Sequence, residues 1–158
     1  MTPLLLMTSL LAGAGGISPS PPFDLASRTI VLTVHATGAQ IYECRAAAGQ
    51  SPAWSFREPI AALFKNGKTI GRHYVGPTWE LDDGSSVIGK QAEATPGPSA
   101  ADIPQLKLDV VGHAGHGQLD QVTHVYRVRT QGGKLAGSCQ APGTLRAVPY
   151  GADYLFTN

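Results

Sequence analysis

Apolar and polar residues alternate with a period of two along most of the chain, the pattern of strands that bury one face. Residues 28–35 are β-branched and partly alternating, and in residues 39–45 Gln40, Tyr42 and Cys44 oppose Ile41 and Glu43. The short Ala36-Thr37-Gly38 between them predicts a β-hairpin over 28–45. Residues 54–57 read as a short strand bounded by Pro52 and Pro59, residues 61–65 as a strand or one helical turn, and Asn66-Gly67 as a turn. Extended structure resumes over 69–75 and stops at Gly76-Pro77. Residues 78–81 and 86–90 flank Asp82-Asp83-Gly84-Ser85, which predicts a second hairpin. Leu106, Leu108 and Val110 share one face of a strand over 105–111, after a Pro-rich loop over 94–104. Beyond the irregular Gly/His-rich 112–117, residues 122–130 alternate again, with Val125 and Arg127 opposite Tyr126. A last strand over 148–156 is interrupted by Pro149 and Gly151. Short strands with turn chemistry between them, and no long Gly- and Pro-free helical period, predict an all-β or nearly all-β domain. The architecture expected is a single, mostly antiparallel sandwich or barrel.

Charge excludes some partners. Twelve Lys+Arg against eleven Asp+Glu leave a formal charge of +1, no footprint for nucleic acid or anionic lipid. Residues 1–14, MTPLLLMTSLLAGA, carry an apolar run too short to span a bilayer and end in Ala12-Gly13-Ala14, the small-x-small form of a signal-peptide cleavage site. They are expected to be a signal peptide, followed by a flexible Pro/Ser/Gly-rich approach over 15–27 and a single β-rich domain over 28–158. No integral membrane span is expected, and the location expected is periplasmic or extracellular. Cys44 and Cys139 are the two cysteines. In an exported chain they suggest one disulfide, with a reduced, buried pair as the alternative. Neither has a neighbouring Cys or His at metal-ligand spacing.

Five phrases carry a resemblance: residues 34–44 (VHATGAQIYEC), 71–80 (GRHYVGPTWE), 83–85 (DGS), 125–133 (VYRVRTQGG) and 148–156 (VPYGADYLF). Together they resemble a family of secreted bacterial and fungal proteins known as a domain of unknown function, over roughly residues 28–156. The resemblance implies export, one domain and a β-rich fold, with no established activity. Some fungal relatives carry the label malate dehydrogenase, but this chain has no G-x-G-x-x-G after a strand and no β/α alternation to support it.

Candidate chemistry is sparse. His113 and His116 have H-x-x-H spacing, and Asp109 or Asp120 could add a metal ligand; solvated histidines in a Gly-rich loop are the simpler reading, and no cofactor is expected. His73, Trp79 and Glu80 flank the Gly76-Pro77 turn, where a returning strand could set the imidazole beside the carboxylate for acid/base work, or offer Trp79 as a stacking platform. A buried structural histidine beside a core tryptophan is the plainer alternative. Gln40 and Tyr42 face inward if Cys44 does, and a buried Gln must find partners. Arg127, mid-strand in apolar company, is expected to pair with Glu43, Glu80 or Asp153, with binding of an anion or carboxylate ligand as the alternative. The leading expectation is an exported, non-catalytic ligand-binding or envelope-associated domain. Its pocket would be lined by His35, Gln40, Tyr42, His73, Trp79, Glu80 and Arg127, and its partner would be a small molecule, a glycan or a protein. The alternatives are an enzyme using His73 and Glu80, and an assembly protein joined through strand edges.

Overall fold

A computed structural model describes residues 21–158; the expected leader over 1–14 and the first part of the approach lie outside the described residues. Among them the chain forms eight strands and no helix: β1 Ile30–Arg45, β2 Ala53–Lys65, β3 Lys68–Tyr74, β4 Thr78–Leu81, β5 Ser86–Thr95, β6 Gln105–Ala114, β7 His124–Gly132 and β8 Leu145–Thr157. Each pairs antiparallel with the next, and β8 returns to β1, closing a barrel. Of the two architectures expected, the chain forms the one that leaves no sheet edge along most of its ring.

The first expected hairpin is not formed. β1 runs unbroken through Ala36-Thr37-Gly38, with Ala36 opposite Leu63 of β2 and Ala152 of β8. The reason is the alternation itself: Leu32, Val34, Ala36, Gln40, Tyr42 and Cys44 are all buried and all in phase. Gly38 is required for close approach rather than for a turn, since a Cβ there would collide with the Ile60 carbonyl oxygen and the Ala61 Cα. Similarly β2 runs through Pro59 instead of stopping at it. Between Trp54, whose amide donates to the Gly137 carbonyl, and Ala61, which pairs with His73, β2 has no ladder partner on its β3 side. That is the edge situation in which proline is tolerated. The Asn66-Gly67 and Asp83-Gly84 turns form as expected, with positive φ at Asn66, Gly67 and Gly84.

The barrel is filled at one end. Leu32, Val34, Leu63, Leu81, Val87, Val125 and Phe156 point inward, and the β6–β7 loop folds in beneath them, burying Leu119 and Val122 completely. This plug is pinned by the β4–β5 turn: the amide of Gln118 donates to Asp83 Oδ2 (2.8 Å), Ser85 Oγ donates to Asp83 Oδ1 (2.6 Å), and the amide of Leu119 donates to Ser85 Oγ (3.3 Å). Outside the barrel, Phe23 and Leu25 of the expected approach segment pack on Tyr126, Val128 and Leu155. A disulfide joins Cys44 at the end of β1 to Cys139 in the β7–β8 loop.

Candidate functional site

An eight-stranded barrel has an interior just wide enough to be filled by side chains or to hold one small ligand. Here the plugged end is filled, and the other end holds a cavity of about 540 Å³, within the size range of small-molecule sites. Its lining comes from the end of β1, the start of β2, the β3–β4 turn and the start of β6, the strand ends opposite the plug. The walls are mainly apolar, with Phe56, Val75, Pro77, Ile103, Leu106 and Leu108 prominent.

A few polar groups converge on this apolar space. His73 and Trp79 are cross-strand partners on β3 and β4, stacked with ring centroids 4.5 Å apart. His73 Nδ1 lies 2.8 Å from the Thr78 carbonyl oxygen and so carries the proton it donates there. That leaves Nε2 with its lone pair. Burial drives the His73 pKa down to about 3; the bond to Thr78 opposes this, and the charge of Arg127 adds to it. The ring is therefore a neutral acceptor at any ordinary pH. Trp79 Nε1 and Gln40 Nε2 are buried donors with no partner within hydrogen-bond distance among the described residues, although Gln40 lies near enough to the Tyr150 hydroxyl to favour its ionised form. Tyr42 Oη donates to the Gly133 carbonyl oxygen (2.7 Å). Tyr154, wholly buried, lies with its hydroxyl 3.4 Å from that of Tyr150.

Of the seven residues expected to line a pocket, Gln40, Tyr42, His73, Trp79 and Arg127 line this cavity; His35 and Glu80 do not. His35 projects from the outer face of β1, where its Nδ1 lies 2.7 Å from Asp153 Oδ1. Glu80 lies on the outer face of β4, accepting from Arg72 (2.9 Å) and Tyr74 Oη (2.7 Å). Because His73 pairs with Trp79, the next residue faces the other way, and the sheet stands between the imidazole and the Glu80 carboxylate. The carboxylates expected to pair with Arg127 are all engaged elsewhere: Glu43 with Arg45, Glu80 with Arg72, and Asp153 with Arg129 and His35. Instead Arg127 Nε donates to the Pro104 carbonyl oxygen (3.0 Å). His113 Nε2 is bonded to the Val122 carbonyl oxygen as part of the plug, and the His116 side chain is almost fully exposed. No group of three or more metal-ligating side chains occurs among the described residues.

The pocket's apolar wall was not foreseen among the site residues. Leu106 and Leu108 share a face by simple alternation, but whether that face meets a packed core or a void depends on what the other strands place across from it. No Ser, Cys, Asp or Glu lines the cavity. The arrangement offers donors, the neutral acceptor of His73 and the guanidiniums of Arg57 and Arg127 around an apolar volume.

A family model described as Protein of unknown function (DUF3455) matches residues 25–158. No curated protein and no solved structure matches the chain.

Proposed function

This chain belongs to the DUF3455 family, and we propose that it is an exported, non-catalytic binding protein that holds one small, largely apolar molecule in the open end of its barrel. The observation that carries the reading is the pair of buried donors, Gln40 Nε2 and Trp79 Nε1, left without partners beside the cavity. An unsatisfied buried donor costs roughly 1–3 kcal/mol, and native structures rarely leave two in one site without a role for them. A ligand acceptor group would satisfy them. The apolar wall would supply most of the affinity, and the polar atoms the orientation. Export is supported by the Cys44–Cys139 disulfide and by the signal-like residues 1–14. A glycan fits less well, because His73 covers one face of Trp79 that a sugar would need.

The test uses N-phenyl-1-naphthylamine, a neutral apolar dye that fluoresces when it leaves water. Saturable one-to-one binding is expected, abolished by Ala94→Trp, which fills the mouth of the cavity from an exposed position and should leave the melting temperature unchanged. Absence of saturable binding, or equal binding by the filled variant, rejects the reading.

A further inference from the structure

We propose that the molecule held in this barrel is an organic monocarboxylate, an apolar body with one anionic oxygen group, and that Arg127 is the residue that reads the anion. The inference rests on the binding reading above and adds the ligand's charge to it.

The argument begins with what surrounds Arg127. It sits on β7 opposite Leu106 of β6 and Tyr154 of β8, both of which line the cavity with it. Arg127 is half-buried there, and a guanidinium drawn partly out of water is stabilised by an anionic partner. All eleven side-chain carboxylates lie within the described residues, and none is in ion-pair contact with Arg127. The other cavity-lining cation, Arg57, already has Glu58 at 3.3 Å.

The second observation is the sign of the whole lining. With no Asp or Glu in the lining, Arg57 paired with Glu58 and His73 neutral, Arg127 is the one cation of the lining without an ion-pair partner. That charge is felt across it: Arg127 acts on Tyr42, His73, Tyr150 and Tyr154. With Nε committed to Pro104 and the Tyr154 hydroxyl near the guanidinium, the two terminal nitrogens of Arg127 have no carboxylate partner, and they form the edge of the planar fork that matches a carboxylate with two parallel bonds. The partnerless donors of Gln40 and Trp79 are hydrogen-bond donors too, so the donor-rich site favours a ligand whose polar end accepts. One unpaired cation calls for one anionic group, and the mainly apolar remainder calls for a body without further charge.

Two acid/amide pairs differing at the head group supply the test: dodecanoate against dodecanamide, and 1-naphthaleneacetate against 1-naphthaleneacetamide. Each would displace N-phenyl-1-naphthylamine at pH 7.5. In at least one pair the acid is expected to compete tenfold or more better than its amide. Arg127→Met should abolish that advantage, read as the ratio of acid to amide competition against each protein's own dye affinity, and Arg127→Lys should keep part of it. Equal competition within both pairs, or an advantage that survives in Arg127→Met, overturns the proposal. If Arg127→Met fails to fold, the Arg127→Lys variant and the salt dependence of the acid's competition decide, since a preference unchanged in both would also overturn it. A protein that binds no dye at all fails the binding reading instead, so the two failures are distinguishable.

Discussion

His73 and Trp79 lie directly opposite each other on β3 and β4, their rings stacked within 11° of parallel, and Tyr154 closes on both from β8 at 5.1 and 5.3 Å between centroids. The imidazole is thus enclosed by aromatic rings and takes its one protein hydrogen bond through Nδ1. Burial is the main reason its pKa falls from 6.5 to about 3. In the unfolded chain the same ring takes up a proton below pH 6.5, while in the fold it does not until about pH 3. The unfolded state therefore binds more protons in that window, and stability falls as the pH is lowered through it. The slope is about 1.4 kcal/mol per pH unit at most. Urea unfolding at pH 7, 6 and 5 should show a falling midpoint, and His73→Gln should flatten the curve. Asp83 and Asp102, whose carboxyls are held below their usual range by hydrogen bonds, push in the same direction but lower in the pH scale, so a slope between pH 6 and 5 that persists in His73→Gln would assign it elsewhere.

Gly38 and Gly112 give a paired prediction. Neither has positive φ, so neither is there for backbone freedom. A Cβ at Gly38 meets the backbone of β2, whereas at Gly112 the nearest atom is Ile88 Cδ1 at 3.7 Å, an ordinary contact. Gly38→Ala should force β1 and β2 apart and cost more than about 3 kcal/mol, at the severe end for single substitutions. Gly112→Ala should be neutral or slightly stabilising. Thermal melts of the two variants check this, and comparable melting temperatures would mean the β1–β2 approach is not tight.

The contrast between these glycines also shows what could be read from the sequence. Most strands, the Asn66-Gly67 and Asp83-Gly84 turns and the inward facing of Gln40 and Tyr42 follow from local alternation and turn chemistry, and the Cys44–Cys139 bridge from there being two cysteines in a chain expected to be exported. Gly38 misled because Gly in a turn and Gly under a crossing strand look alike in one dimension. Pro59 and Pro149 misled for a related reason: each lies where its strand lacks a ladder partner on one side, a fact about neighbours. Pairing His73 with Glu80 failed because their register across the Gly76-Pro77 turn sets the two side chains on opposite faces. The absence of a carboxylate for Arg127 was not legible at all, since it depends on Arg45, Arg72 and Arg129 taking the three expected partners first.

The plug predicts a localised weakness. Leu119 is fully buried but held by a loop whose anchors are Asp83 and Ser85. Leu119→Ala should cost about 2–5 kcal/mol as a large-to-small core change. Asp83→Asn removes the anionic acceptor for the Gln118 amide and the Ser85 hydroxyl, and should speed hydrogen exchange over 115–123 before it affects the β1–β8 ladder. Exchange that rises uniformly over the barrel would show the plug to be part of the global unfolding unit instead.

The disulfide should act chiefly on the unfolded chain. It closes a sequence separation of 95, for which loop-closure entropy gives roughly 4–5 kcal/mol. In the fold, the β7–β8 loop is held by other means as well: the Cys139 amide donates to the Pro52 carbonyl oxygen (3.0 Å), the Gly143 amide to the Cys44 carbonyl oxygen (2.8 Å), and the Cys44 amide to the Thr144 carbonyl oxygen (2.9 Å). These bonds survive replacement of both cysteines by alanine, so the native barrel should keep its cavity and its dye binding. The unfolded ensemble, freed of its cross-link, should expand and expose more surface. Guanidinium unfolding of the double alanine variant should therefore show a lower midpoint together with a steeper dependence on denaturant. A lower midpoint with an unchanged slope would instead place the loss in the folded loop. In that case the bridge would be holding the β7–β8 segment against β1 and β2, and dye binding, which depends on Tyr42 and its bond to Gly133 in the same loop, should weaken with it.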